Sequence, residues 1–115
     1  MELREKLQML KNASFKLAAL ETEVKNTALR GMAEALENQQ NEIFAANMKD
    51  IEEAKRTELA DVLVKRLVLD KKKLTAVIEG VRSVSKLPDP VGRIIMQRDL
   101  DSDLILTQMS VPIGV

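Results

Sequence analysis

Asp99, Asp101 and Asp103 fall at alternate positions and are the nearest this sequence comes to a ligand set for a hard cation. Alternating carboxylates are how a calcium loop opens, but such a loop also wants Gly at its sixth position and Glu at its twelfth. Leu104 and Ser110 stand there instead, and the flanks read as strands rather than helices. The triplet therefore predicts a solvated turn. Lys71-Lys72-Lys73 opens a helical pattern, where backbone N–H groups attract phosphate. Nothing glycine-rich adjoins it, so it reads as a wet face. Glu52 and Glu53 are adjacent carboxylates, which point in different directions on a helix and cannot share a substrate.

Absent residue types narrow the chemistry further. The chain has no cysteine and no histidine, so it carries no thiolate nucleophile, no zinc–sulfur site and no ordinary general base at neutral pH. Its four glycines show neither G-x-G-x-x-G spacing nor a following Lys-Ser/Thr, which leaves no phosphate-cradling loop. No residue is assigned a catalytic, cofactor-binding or metal-binding role. Eighteen basic residues balance eighteen acidic ones, and Phe15 and Phe44 are the only aromatics. A nucleic-acid partner would want a basic surplus and stacking rings, so none is expected. No apolar run approaches the ~20 residues of a membrane span, and the amphipathic start at Met1 lacks a signal-peptide core. The expected compartment is cytoplasmic.

The elements that would position any site are mostly helical. Leu3, Leu7, Leu10, Leu17 and Ala18 form one stripe between Glu2 and Ala19. Thr22 is a plausible N-cap for a second helix with Val24, Ala28, Met32, Ala35, Leu36 and Ile43 inward. Gly31 within it suggests close packing against a neighbour. Asn38-Gln39-Gln40-Asn41 marks a bend and Asn47 a stop, with a short helix from Met48 to Arg56. Asn47 and Asp50 read as cap and turn residues. Thr57 is expected to cap a helix burying Leu59, Val62, Leu63 and Leu67. Asp70 caps another, in which Leu74, Val77, Ile78, Val81 and Val84 follow helical spacing until Pro88 ends it.

Beyond the Pro-Asp-Pro loop the period changes to that of strands. Arg93–Arg98 and Leu104–Val111 predict a hairpin joined by residues 99–103. Both faces of the second strand are largely apolar near its start. A lone two-stranded ribbon is marginal in water, so these strands want a sheet or a partner. The fold class is thus mainly α with a C-terminal β-hairpin, divided into a helical segment 1–87 and a loop-plus-hairpin segment 88–115. Val111-Pro112-Ile113-Gly114-Val115 reads like the beginning of a buried strand, so more polypeptide is expected. A small helical interaction module, offering its ribbon to another chain, is the alternative.

Several stretches in order carry a resemblance. They are Ala13-Ser14-Phe15-Lys16-Leu17-Ala18, Lys25-Asn26-Thr27-Ala28-Leu29 and Ala45-Ala46-Asn47-Met48-Lys49-Asp50. Arg66-Leu67-Val68-Leu69, Val81-Arg82, Leu87-Pro88-Asp89-Pro90-Val91-Gly92 and Val111-Pro112-Ile113-Gly114-Val115 complete the series. Together they resemble the first quarter of the gamma-glutamyl phosphate reductase (glutamate-5-semialdehyde dehydrogenase) family, a branch of the aldehyde dehydrogenase superfamily. The resemblance implies an N-terminal portion of an α/β dehydrogenase fold and NADPH-dependent reduction of L-glutamyl 5-phosphate in proline biosynthesis. It implies NADP(H) bound by later sequence, a segment inactive by itself, and a homo-oligomer formed through the 93–111 hairpin. Two departures are visible: Lys65 stands where the family tends to have Asp, and the stretch after Arg56 lacks a glycine often found there.

Overall fold

The computed structural model describes residues 2–114, in the order α1 (Leu3–Ala18), α2 (Thr22–Asn38), α3 (Gln40–Arg56), α4 (Asp61–Leu67), α5 (Lys71–Val84), β1 (Ile94–Asp101) and β2 (Leu104–Met109). Mainly α with a terminal hairpin is therefore the observed class. The residues group into two compact units, one of Met1–Lys25 with Pro88–Val115 and one of Asn26–Leu87.

The core of the second unit lies where α2 meets α5. Ala33, Leu74 and Ile78 are buried, with Leu36, Phe44, Leu69 and Val81 packed around them. The α5 stripe puts Leu74 and Ile78 one turn apart on the inward side, as its spacing predicts; Val77 and Val84 stay about half exposed. Asp70 caps α5 by accepting from the Lys73 N–H at 2.8 Å. The inward face of α2 differs from expectation. Ala33 is fully buried with Leu36 beside it, whereas Val24 and Met32 are exposed. Alanine-rich turns give a weak stripe, and the face was misplaced by part of a turn. Gly31 has no close neighbour either: an added Cβ would meet nothing within 4 Å.

Helix ends account for the other differences. Asn38–Asn41 is a true break at Gln39, but α3 runs straight through Asn47 to Arg56. Thr57 closes α3 instead of opening α4, its hydroxyl donating to the Glu53 and Ala54 carbonyls. The Leu59 N–H then donates to Ala54 O and the Glu58 N–H to Lys55 O, with Glu58 at φ 54°. That is a Schellman ending, with Glu58 in the left-handed position that glycine favours. Ala60, not Thr57, precedes α4, whose expected inward residues Val62, Leu63 and Leu67 are exposed. α5 stops at Val84, three residues before Leu87.

In the first unit α1 begins with the Glu2 N–H donating to the Glu5 carboxylate at 3.1 Å. None of its residues is buried, and Leu3, Leu7, Leu10 and Leu17 all face solvent. The hairpin turn is tighter than the five residues expected. β1 continues to Asp101, which pairs with Leu104 across Ser102 and Asp103. Asp103 takes φ 62°, which a short polar side chain tolerates, and Asp101 Oδ1 accepts from the Ser102 N–H. The register slips at Ile95 and at Leu100, so eight residues of β1 face six of β2. Every residue of both strands is exposed, and β1–β2 is the only sheet among the described residues.

Candidate functional site

The best-connected group of polar side chains in the first unit sits at the root of the hairpin. Thr22 is the first residue of α2 rather than its cap, because Glu21 O already accepts from Val24 and Lys25. Its hydroxyl is thereby free to donate to Asp89 Oδ2 at 2.9 Å, and Lys25 Nζ, one turn on, reaches the same oxygen at 2.7 Å. The other carboxylate oxygen accepts from the Val91 N–H at 3.0 Å. Lys25 and Asp89 are largely shielded, with side chains 19% and 16% exposed. Lys25 foremost, then the Val91 N–H and Thr22, hold the Asp89 carboxyl down at about 2.

Proline on each side stiffens this loop, since Pro88 and Pro90 fix φ and donate nothing. Pro90 O accepts from the Ser110 hydroxyl. The Gly92 N–H donates to Ser110 O at 2.9 Å, the Ser110 N–H donates to Arg93 O at 3.0 Å, and the Arg93 N–H donates to Ser110 Oγ at 3.2 Å. Gly92 bends the chain at φ 75°. Beside this seal lies an open depression of about 440 Å³ lined by Pro90, Arg93, Ile94, Ile95 and Ser110.

The residues singled out for possible chemistry are not gathered into this site. Asp99 lies within β1 opposite Ile105, and Asp101 and Asp103 serve the turn. Among the described residues no group of three or more acidic side chains is suited to a metal ion. Lys73 spends its Nζ on Val68 O at 2.6 Å, and its N–H is taken by Asp70. A carboxylate therefore already occupies the helix start at which phosphate would bind. Glu53 pairs with Arg56, which lowers its pKa, while Glu52 is exposed. Asn47 is neither cap nor stop: from the middle of α3 it donates to Leu67 O and accepts from the Leu69 N–H, both at 2.8 Å. Both oxygens of Asp89 are engaged with donors, Oδ2 with Thr22 and Lys25 and Oδ1 with the Val91 N–H. The hydrogen bonds of this arrangement hold the loop to the start of α2.

Sequence reasoning missed the Thr22–Lys25–Asp89 contact, whose partners lie 64 and 67 residues apart. The one local signal was the Pro-Asp-Pro loop itself, where an aspartate between two prolines is poised to meet a distant donor.

No protein-family model matches the chain. It is 46% identical to gamma-glutamyl phosphate reductase of Acaryochloris marina over 113 residues, which is 98% of this chain and 26% of that protein. It is 43% identical to the protein of that name from Methanosarcina barkeri, again over 26% of its length. The crystal structure of gamma-glutamyl phosphate reductase from Thermotoga maritima superposes with a TM-score of 0.91 at 33% identity, over 97% of this chain and 27% of that one. In sequence and fold the chain matches the N-terminal segment of gamma-glutamyl phosphate reductase. The Saccharomyces cerevisiae reductase gives a TM-score of 0.90 at 34% identity, over 29% of its chain. The chain thus spans about a quarter of the length of the curated reductases it matches.

Proposed function

We propose that this chain serves as the N-terminal segment of a reductase that converts L-glutamyl 5-phosphate to L-glutamate 5-semialdehyde, with a scaffold and association role of its own. The supporting observation is identity of 41–46% to gamma-glutamyl phosphate reductases along nearly the whole chain, accompanied by the same fold. Reduction of an acyl phosphate to an aldehyde needs a hydride donor, and NADPH would supply that hydride in the longer polypeptide. This chain's own residues do not fit such a cofactor. Gly31 and Gly80 lie inside helices, and no described glycine sits at the strand-to-helix turn that cradles a dinucleotide phosphate. With no cysteine or histidine, the chain also lacks the usual nucleophile and base for acyl transfer.

The hairpin would contribute association. Ile94, Ile95, Leu104, Ile105, Leu106 and Met109 are exposed on a ribbon with no third strand among the described residues. A second copy of the chain is the proposed partner, with 93–111 as the contact. No described helix is long and apolar enough to cross a membrane. The proposed compartment is the cytoplasm. The same exposed ribbon is what the second reading, an interaction module, would use.

Genetic complementation separates these readings. In a bacterial host made a proline auxotroph by loss of its own reductase, a longer protein carrying this segment should restore growth. Deleting residues 1–115 from it should abolish rescue, and the 115-residue chain alone should give none. Rescue that survives the deletion would overturn the reductase reading and favour the module. Turnover of an acyl phosphate with NADPH by the isolated chain would overturn the scaffold role.

A further inference from the structure

We infer that Asp89 is a positioning residue: its carboxylate locks the root of the β-hairpin to the first turn of α2, so that the ribbon leaves that turn in one direction. The two oxygens divide the work. Oδ2 faces the helix and takes both Thr22 and Lys25, while Oδ1 faces the loop and takes the Val91 N–H. From there the constraint passes through a few residues of stiff backbone. Pro90 O is held by the Ser110 hydroxyl, and the Gly92 N–H by Ser110 O. Ser110 follows directly on β2, which ends at Met109. Helix, loop and strand are thereby joined through one carboxylate and one hydroxyl.

An exposed ion pair would not do this, since salt screening and side-chain entropy leave such pairs near zero net worth. This one is four-fifths shielded on both partners, and a single acceptor gathers three donors from two segments. Charge-assisted hydrogen bonds in such settings are about twice as strong as neutral ones. The need for a lock is also evident. A two-stranded ribbon is marginal alone in water, and both strands here are exposed throughout, so no buried side chain of the ribbon fixes its exit. The inference holds whether or not the hairpin pairs with a second copy.

Amide hydrogen exchange on the 115-residue chain tests it, comparing wild type with Asp89→Asn, Lys25→Met, the double variant and Lys25→Arg. The amides of Gly92 and Ser110 report the result, because neither bonds to Asp89 or Lys25 directly. Each single variant should speed them by about ten-fold, the size of one lost charge-assisted hydrogen bond. The double variant should be little faster than either single one, since both remove the same contact. Lys25→Arg should keep most of the protection, and α5 amides from Leu74 to Val81 should not change. Unaltered Gly92 and Ser110 rates would overturn the lock. So would an equal acceleration in α5, which would mark general destabilisation, or fully additive effects in the double variant.

Discussion

Asp89 holds three donors on its two oxygens, and they bring its carboxyl down to about 2. A carboxyl whose folded pKa lies below its unfolded value stabilises the fold above the unfolded value. That contribution is lost as the pH falls through the folded one. For Asp89 the window runs from 3.8 down to about 2. Wild-type chain should therefore lose stability relative to Asp89→Asn over that range, measured as a converging pair of urea midpoints. Glu53 titrates low as well, held by Arg56, but identically in both proteins. Asn47 makes a second prediction. Its side chain gives one hydrogen bond to the end of α4 and receives one from the link that follows, so Asn47→Ala leaves Leu67 O and the Leu69 N–H unanswered. The expected cost is about 1–3 kcal/mol in chemical denaturation. Neither role was legible in the sequence, because the partners of Asp89 and Asn47 lie some 20 to 67 residues away. The Asp70 cap was legible, because donor and acceptor are three residues apart.

At the scale of elements, what could be read followed from how local the cause was. α5 has a strong stripe and a good cap, and its expected and observed cores agree at Leu74, Ile78 and Val81. α4 is only seven residues long, too short for a periodic pattern to fix which side turns inward. The end of α3 was missed because Glu58 stands in the left-handed position that glycine would have announced. Glu58→Gly should therefore stabilise the chain by about 1 kcal/mol, through removal of Cβ crowding at positive φ. The opposite change suits α2. Gly31 has helical geometry and empty space where a Cβ would go, so Gly31→Ala should raise the unfolding free energy by about 1 kcal/mol. Thermal melts of the two single variants check both, and their effects should add because Gly31 lies within α2 and Glu58 in the turn after α3.

For the molecule as a whole, the balance of apolar surface is the dominant fact. Buried hydrophobic residues among those described are Ala33, Ala54, Leu74 and Ile78, whereas the α1 stripe and the whole ribbon face outward. Exposed apolar surface on that scale marks an interaction site or an aggregation-prone face. The isolated chain should self-associate, with a sedimentation coefficient that rises with concentration, and Ile105→Lys on the exposed β2 should shift the equilibrium toward monomer. The expectation that these strands want a partner came from their paired apolar faces, which alternation reveals without any structure. What alternation cannot reveal is register, since a slipped residue changes no composition.

Those slips favour one margin of the ribbon over the other. β2 offers an uninterrupted comb of backbone groups from Leu104 to Met109, whereas β1 is even only between Met96 and Asp99. Four residues at about 3.3 Å each give a template of roughly 13 Å, against about 20 Å along β2. A newcomer strand zipping onto this protein would find its longer track beside β2.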